Sequence, residues 1–163
     1  MSDVYYTQME SPLGPLLLVG DKSALHAVEF VNGRKPPRLH PDWKKDSKPF
    51  VEAVCQLLSY FSGELEEFNL PLAPQGTEFQ RKVWDNLCDI PYGETISYGE
   101  LAKRIGNPNA SRAVGLANGS NPIPIIIPCH RVIGSNGKLT GYGGGLPIKE
   151  KLLALERKQM SLL

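Results

Sequence analysis

The sequence has few cysteines, little net charge and no long hydrophobic run, and each shortage excludes a class of protein. Its 163 residues include three cysteines and carry a formal net charge of +1. The cysteines form no CxxC pair, which disfavours a disulfide scaffold. No apolar stretch approaches the ~18 residues that span a bilayer, and the N-terminus lacks a signal-peptide pattern. We therefore expect a soluble cytoplasmic protein of one domain or two small lobes.

The first part of the chain has the pattern of β-structure. The strand-like runs VYYTQM and GPLLLVGD are separated by the turn SPLGP, and a third run, ALHAVEF, precedes a long loop rich in proline and charge. Apolar residues at helical spacing then predict an amphipathic helix that ends at Gly63: Phe50, Val54, Leu57, Leu58 and Phe61. We expect residues 1–72 to form a lobe with a small antiparallel sheet and one helix, followed by a linker at 73–76.

The pattern from residue 77 onward is mainly helical. Thr77 with Gln80 predicts a capping box before EFQRKVWDNLCDI, and Ser97 with Glu100 predicts another before YGELAKRI. After the turn NPNA, the segment SRAVGLANGS predicts a third helix. Two short helices joined by a tight turn have helix-turn-helix spacing. The chain is therefore predicted to be an α/β (α+β) protein whose C-terminal domain, residues 77–163, carries a helix-turn-helix.

The end of the chain predicts a hairpin, a flexible segment and a last helix. The stretch VIGSNGKLTG is hairpin-like, with Asn136 and Gly137 as its turn. The glycine-rich GYGGG follows, and no Gly-Lys-Ser/Thr comes after it, which argues against a phosphate loop. Pro147 is a first-turn proline that opens a helix carrying Glu156.

Cys129 ends the proline-bracketed run IPIIIP and is followed by His130 and Arg131. Cationic or proton-accepting neighbours lower a thiol pKa from ~8.5 toward a reactive range, whereas most intracellular cysteines are buried and structural. Because neighbouring side chains of an extended segment point to opposite sides, His130 would need a water or a bent backbone to act on the thiol. These residues alone leave both interpretations open. Cys55 and Cys88, flanked by apolar residues within helices, are expected to be buried structural thiols.

Metal chemistry and hydrolysis have little support. Cys129 and His130 are adjacent rather than spaced as ligands, and His26 and His40 lie in the other lobe without clustered carboxylates. The local signature of papain-like hydrolases is missing around Cys129. We expect no metal site and no cofactor.

The helix pair offers two residues with open interpretations. Tyr98 at a helix start can be a core residue, or it can donate a proton or meet a phosphate. Arg112 near the start of the next helix can be a solvated charge, or it can reach DNA. That helix exposes Ala and Gly rather than long polar side chains, so it would read major-groove bases poorly. If it binds DNA, we expect the minor groove and little sequence specificity.

Four segments, ISYGELA, RAVGLANGSNPIPIIIPCHRVIG, GKLTGYGGG and KEKLLALE, closely resemble the O6-alkylguanine-DNA alkyltransferases, or methylated-DNA–protein-cysteine methyltransferases. The likeness is continuous from about Phe79 to Glu156 and weaker in SPLGPLLLV and YFSGEL. The size suggests the stand-alone bacterial type. The resemblance implies direct-reversal repair of double-stranded DNA that contains alkylated bases: after base flipping, Cys129 irreversibly takes the alkyl group from O6 of guanine or, less readily, O4 of thymine.

The resemblance also implies a role for each matched residue. His130 would act through a water as the base that makes the thiolate, with Glu156 orienting and charging it. Tyr98 would help to rotate the nucleotide and protonate the departing guanine, Arg112 would fill the space left in the duplex, and Asn121 would be the hinge between DNA-binding helix and cysteine segment. The other implied residues are Ser111, Ala113 and Gly115 on the DNA-binding surface, and Val132, Tyr142, Gly143 and Pro124 in the base pocket.

The sequence departs from its relatives in two respects, and two other functions compete with this interpretation. Gly143 stands where vertebrate relatives bear serine, and no cysteine precedes Cys55, so their zinc ligands have no counterpart. The chain could instead be a non-catalytic lesion-binding module, like the alkyltransferase-like proteins, but those lack the cysteine. A redox-sensing helix-turn-helix regulator would need a second cysteine near Cys129 or a dimerisation helix. We expect a monomer, and the sequence leaves cooperative binding to DNA open.

Overall fold

The computed structural model describes residues 3–33, 36–139, 142, 144–158 and 162. The strands are β1 (Tyr5–Met9), β2 (Leu16–Gly20), β3 (Leu25–Phe30), β4 (Lys44–Lys45), β5 (Ile96–Ser97) and β6 (Val132–Ile133). The helices are α1 (Val51–Phe61), α2 (Glu78–Leu87), α3 (Tyr98–Arg104), α4 (Ser111–Gly119) and α5 (Leu146–Glu156). The predicted mixed α/β architecture, with a sheet-bearing N-terminal lobe and a mainly helical C-terminal part, is confirmed.

The N-terminal sheet has the strand order β3-β2-β1-β4. The three predicted strands pair antiparallel, and all five residues of β2 are buried because helix and loop cover the sheet. The fourth strand lies inside the segment predicted to be a loop. Lys44 N donates to the Val4 carbonyl and Asp46 N donates to the Tyr6 carbonyl, and Lys44 Nζ also donates to Asp3 Oδ2 at 2.9 Å. The two exposed lysines of β4 carry no strand signal, and charge on an edge strand deters further pairing.

Helix α1 packs its apolar face against the core, with Ala53, Leu57, Tyr60 and Phe61 buried. Leu58, predicted to belong to that face, is 38% exposed. The helical spacing of Leu57, Tyr60 and Phe61 turns Leu58 toward solvent. Gly63 follows the helix with φ +85°, a left-handed conformation that glycine adopts without a side-chain clash.

The predicted capping boxes differ in outcome. Thr77 Oγ1 accepts a hydrogen bond from Gln80 N, and Gln80 Oε1 accepts one from Thr77 N, so the first box is complete. Ser97 Oγ accepts from Glu100 N at 3.0 Å. The Glu100 carboxylate instead accepts from Arg104 Nε at 3.3 Å, so the second box is half formed.

The helix-turn-helix formed by α3 and α4 packs on α2. Trp84 of α2 is buried and donates its indole N–H to the Ala117 carbonyl of α4 at 2.8 Å. The hairpin predicted after Cys129 lies only partly within the described residues, which leave out residues 140 and 141. Its turn at Asn136–Gly137 is present: Gly137 N donates to the Gly134 carbonyl, and Gly134 N donates to the Lys138 carbonyl. Strand β6, at the start of this stretch, pairs in parallel with β5, with Ile96 beside Val132.

The two halves of the chain share one hydrophobic core. Leu25 bridges Leu72, and Val28 N donates to the Pro122 carbonyl at 2.9 Å, so β3 bonds to both the segment before α2 and the segment after α4. Within the described ranges, no helix is long and apolar enough to cross a membrane.

The backbone at Gly76 lies against the ring of Trp84. A Cβ built there would lie 2.7 Å from Trp84 Cζ3 and 2.8 Å from Gln80 Oε1. Because the ring is buried and cannot move aside, we expect Gly76→Ala to lower the free energy of unfolding by about 1–3 kcal/mol, the usual effect of overpacking. Urea unfolding measures it. Gly119→Ala is the control, since a Cβ there meets nothing within 4 Å; equal loss in both variants would contradict the packing argument.

Candidate active site

The apolar run before Cys129 is a compact loop tied by Asn121. Asn121 Oδ1 accepts from Ile123 N at 3.0 Å, and its Nδ2 donates to the Ile127 carbonyl at 2.8 Å. Ile127 N also donates to the Ile123 carbonyl, which closes the loop. Within it, Ile125 is buried at φ +75°. A β-branched residue in this region costs about 1–3 kcal/mol, so the surrounding contacts must hold it there.

Cys129 begins a tight helical turn, Cys129–Arg131, which supplies the bent backbone that an action of His130 on the thiol requires. Cys129 is 6% exposed, and Asn118 Nδ2 donates to its carbonyl at 3.3 Å. Burial raises the pKa of the thiol to about 11, opposed by a hydrogen bond from Asn121 and the charge of Lys149. The sequence left the state of this thiol open; burial outweighs the nearby cation, and the resting thiol is protonated.

The carboxylate of Glu156 is the acceptor at the centre of the site. It accepts from Arg131 Nε at 2.7 Å, Arg131 Nη2 at 3.0 Å, Tyr60 Oη at 2.6 Å and Gly93 N at 3.3 Å, and it contacts His130 Nε2 at 2.6 Å. Burial alone would raise the pKa of Glu156, but the hydrogen bonds from His130 and Arg131 and the charge of Arg131 lower it well below its ordinary range. Glu156 is therefore ionised, and it neutralises the charge of Arg131.

His130 is fully buried, and this burial lowers the pKa of its ring despite the opposing effect of Glu156. The ring is therefore neutral near pH 7. An ionised carboxylate can only accept, so His130 Nε2 carries the proton and Nδ1 carries the lone pair. Nδ1 has no hydrogen-bond partner among the described residues. It is the ring atom that can take up a proton.

Lys149 of α5 is a further buried group, and the sequence interpretation missed it. Its side chain is fully buried, and Nζ donates to the Val132 carbonyl at 2.7 Å. Burial lowers its pKa, whereas the charge that Cys129 gains on ionisation would raise it. The spacing offered a signal: Lys149 lies seven residues before Glu156, so both share one face of the helix.

A cavity of about 410 Å³ opens at Cys129. Of the predicted pocket residues, Pro124 and Tyr142 line it, together with Asn121, and burial raises the pKa of Tyr142 well above its ordinary value. Val132 is fully buried in β6 and is not among the residues that line the cavity. Gly143 lies outside the described residues.

The predicted DNA-facing residues lie at the start of α4. Ser111, Arg112 and Ala113 are exposed, and a Cβ at Gly115 would lie 3.7 Å from the ring of Tyr98, which begins α3. None of these residues lines the cavity at Cys129. The surface on α4 and the cavity are joined through Asn118, Asn121 and the loop that follows α4.

Cys55 and Cys88 are both exposed, so the expectation of buried structural thiols is wrong. Cys55 lies between the buried positions of α1, and Cys88 caps the end of α2. Across the described ranges, no three His, Cys, Asp or Glu side chains are grouped as a metal site requires.

Comparison with known proteins places this fold and site in one class. Residues 78–158 match the 6-O-methylguanine DNA methyltransferase DNA binding domain, and residues 4–74 match the ribonuclease-like domain of the same enzymes. A methylated-DNA–protein-cysteine methyltransferase from Methanosarcina acetivorans is 60% identical, over 94% of this chain and 98% of the relative. One from Mycobacterium tuberculosis is 54% identical, over 96% of this chain and 94% of the relative.

Solved structures agree. The crystal structure of Mycobacterium tuberculosis OGT in complex with DNA matches with a TM-score of 0.89 and 52% identity, over 95% of this chain and 94% of that chain. The class is thus that of the methylated-DNA–protein-cysteine methyltransferases. The chain belongs to the 6-O-methylguanine DNA methyltransferase family.

The Glu156 network gives a prediction for stability and its pH dependence. Glu156→Gln removes the charge that Arg131 faces in a buried site, and we expect a loss of about 3–5 kcal/mol in the free energy of unfolding at pH 7. The native pKa of Glu156 lies below the unfolded value of ~4.3. Its contribution is therefore present above that value and is lost as the pH falls toward the native pKa. Urea unfolding at pH 7 and pH 3 measures both effects.

Glu66→Gln is the matched control for this experiment. Glu66 is half-exposed and lies 3.9 Å from Lys158, so we expect a change within about 0.5 kcal/mol. Wild-type protein should lose more stability than Glu156→Gln between pH 7 and pH 3. Equal acid sensitivity in the two proteins would contradict the assignment of an ionised, buried Glu156.

Proposed function

We propose that the chain repairs alkylated double-stranded DNA by direct reversal, with Cys129 as a single-use acceptor. One observation carries the proposal: a lone buried thiol lies at a cavity beside the helix-turn-helix. The Sγ–carbon bond forms as the alkyl carbon–O6 bond breaks, and the electron pair leaves with the guanine, which then takes a proton. The product is guanine and a thioether on Cys129. The preferred lesion is O6-alkylguanine, with O4-alkylthymine a poorer substrate.

The thiol proton leaves through His130. With the pKa of Cys129 raised to about 11, spontaneous thiolate is scarce near pH 7, so a positioned base is required. The hydrogen bond from His130 Nε2 to Glu156 keeps the ring proton on Nε2 and leaves the lone pair on Nδ1. We propose that Nδ1 takes the proton through a bridging water. The resulting imidazolium is then stabilised by the Glu156 carboxylate, and Lys149 stabilises the thiolate before attack.

The lesion reaches Cys129 by base flipping. A base inside a duplex is inaccessible, and extrusion requires a wedge and a fitted pocket. Helix α4 lies in the minor groove with Arg112 filling the gap in the duplex, and its small exposed residues suit close, non-specific contact. Tyr98 assists rotation of the nucleotide and protonates the departing base. Asn121, which ties the loop between α4 and Cys129, is the hinge between the DNA surface and the thiol.

The competing function is lesion binding without transfer, as in alkyltransferase-like proteins. Among the described residues of the site, none is placed to release an alkyl group from a thioether, and this suits single-turnover transfer rather than repeated binding. We expect each molecule to be consumed by one repair event, and we expect the protein to act as a monomer.

Mass spectrometry tests the transfer. After incubation with duplex DNA containing O6-methylguanine, we expect a gain of one methyl group confined to the peptide that contains Cys129. Cys129→Ser should bind the lesion but gain no mass. Cys55→Ser and Cys88→Ser are matched controls, because both thiols are exposed and lie away from the cavity. Tight lesion binding by wild-type protein without any adduct would favour the lesion-binding module instead.

The Arg112→Ala variant distinguishes an effect on base flipping from an effect on alkyl transfer itself. We expect repair of O6-methylguanine in duplex DNA to slow by about tenfold or more, because the wedge that stabilises the flipped state is lost. Reaction with the free base O6-benzylguanine should keep its wild-type rate, since no duplex is opened. Arg81→Ala removes an exposed arginine from α2 and is the control for charge. Equal slowing on both substrates would rule out the wedge role.

A further inference from the structure

One wall of the cavity at Cys129 comes from the N-terminal lobe. The end of β3 and the turn after it contribute Ala27, Val28, Glu29, Phe30 and Gly33 to its lining. The sequence interpretation gave this lobe no part in the base pocket. A pocket with walls from both lobes has its width set by how the lobes pack together.

Phe30 is the residue of this wall that touches the opposite side. Its ring meets the edge of the Tyr142 ring, with centroids 5.9 Å apart and planes at 60°, a favourable aromatic arrangement. Both rings are buried. A Cβ at Gly144 would lie 2.9 Å from Phe30 Cδ2 and Cε2 and 3.1 Å from Tyr142 Cε2. The ring of Phe30 is therefore packed between Tyr142 and the backbone at Gly144.

The backbone of Phe30 is held as firmly as its ring. Phe30 pairs with Leu16 across the β2–β3 ladder, and its carbonyl accepts from Gly33 N at 3.0 Å. Two residues earlier, Val28 N donates to the Pro122 carbonyl at 2.9 Å, which links β3 to the segment after α4. The wall at Phe30 is thus a fixed part of the core rather than a loop that can swing away.

We propose that Phe30 sets the upper size limit of the alkyl group that Cys129 accepts. The inference rests on the proposed alkyl transfer. In-line attack fixes the reacting carbon between Sγ and O6, so any carbon beyond it must occupy the remaining space of the cavity. Close-packed walls do not yield to extra volume without strain. A methyl group needs no such space, whereas a benzyl ring needs room on the side that Phe30 closes.

Single-turnover rates on two duplexes that differ only in the lesion test this inference. The lesions are O6-methylguanine and O6-benzylguanine. We expect Phe30→Ala to raise the benzyl-to-methyl rate ratio by about tenfold, the scale of a misfit relieved in an apolar pocket. Phe30→Leu, which keeps most of the buried apolar surface, should shift the ratio in the same direction by less. If thermal unfolding shows that the Phe30→Ala variant does not fold, Phe30→Leu alone tests the inference.

Phe68→Ala is the matched control. Phe68 is a partly buried phenylalanine of the same lobe that packs on Tyr60, with ring centroids 5.3 Å apart, and it does not line the cavity at Cys129. Any effect through Tyr60 and Glu156 applies to both lesions alike, so its ratio should equal that of wild type. An unchanged ratio in Phe30→Ala and Phe30→Leu would overturn the size-limit role. Absence of transfer from either lesion to wild-type protein would instead refute the proposed function.

Discussion

The structure depends on one buried carboxylate. Glu156 receives hydrogen bonds from Tyr60 of α1, Arg131 and the backbone at Gly93, and it also pairs with His130, so a single side chain joins the N-terminal lobe, the cysteine segment and the turn after α2. Burying a charge is favourable only when it is paired and fully hydrogen-bonded, and here both conditions hold. The same charge fixes the tautomer of His130. The carboxylate that ties these segments together therefore also orients the ring that we propose takes the thiol proton.

Burial also explains why the resting Cys129 thiol is unreactive. A thiol that remains protonated near pH 7 resists oxidation and stray alkylating agents, because both react with thiolate. In the proposed reaction, the thiol reacts only when a ligand fills the cavity and a base removes the proton. Desolvation and the nearby Asp85 and Asp89 also raise the pKa of the exposed Cys88 to about 11, so a protonated thiol does not by itself mark the acceptor. Cys129 differs from Cys55 and Cys88 in lying at the cavity, which neither of the other two lines.

The features that could be predicted from the sequence are those that neighbouring residues determine. The strands β1 to β3, the complete cap at Thr77 and the helix pair follow from short patterns, and the resemblance drew attention to His130 and Glu156. Pairing across long distances could not be read in this way: β4 and the β5–β6 pair have two residues each and no signal of their own. The raised pKa of Cys129 comes from burial, which the residues next to it in the sequence do not reveal.

The backbone of the cysteine segment has a consequence for how such a chain can change. Asn118 holds the Cys129 carbonyl, Asn121 holds Ile127, and Lys149 holds Val132, so the segment is anchored at successive points by side chains from before and after it. Each anchor depends on the number of residues that separate its two partners as well as on the contact itself. Side chains along this stretch can be exchanged for others of similar volume, but one residue inserted or deleted would move every later anchor out of register. Sequences that evolve from this one must therefore keep the number of residues between Asn118 and Val132 more strictly than the residue types.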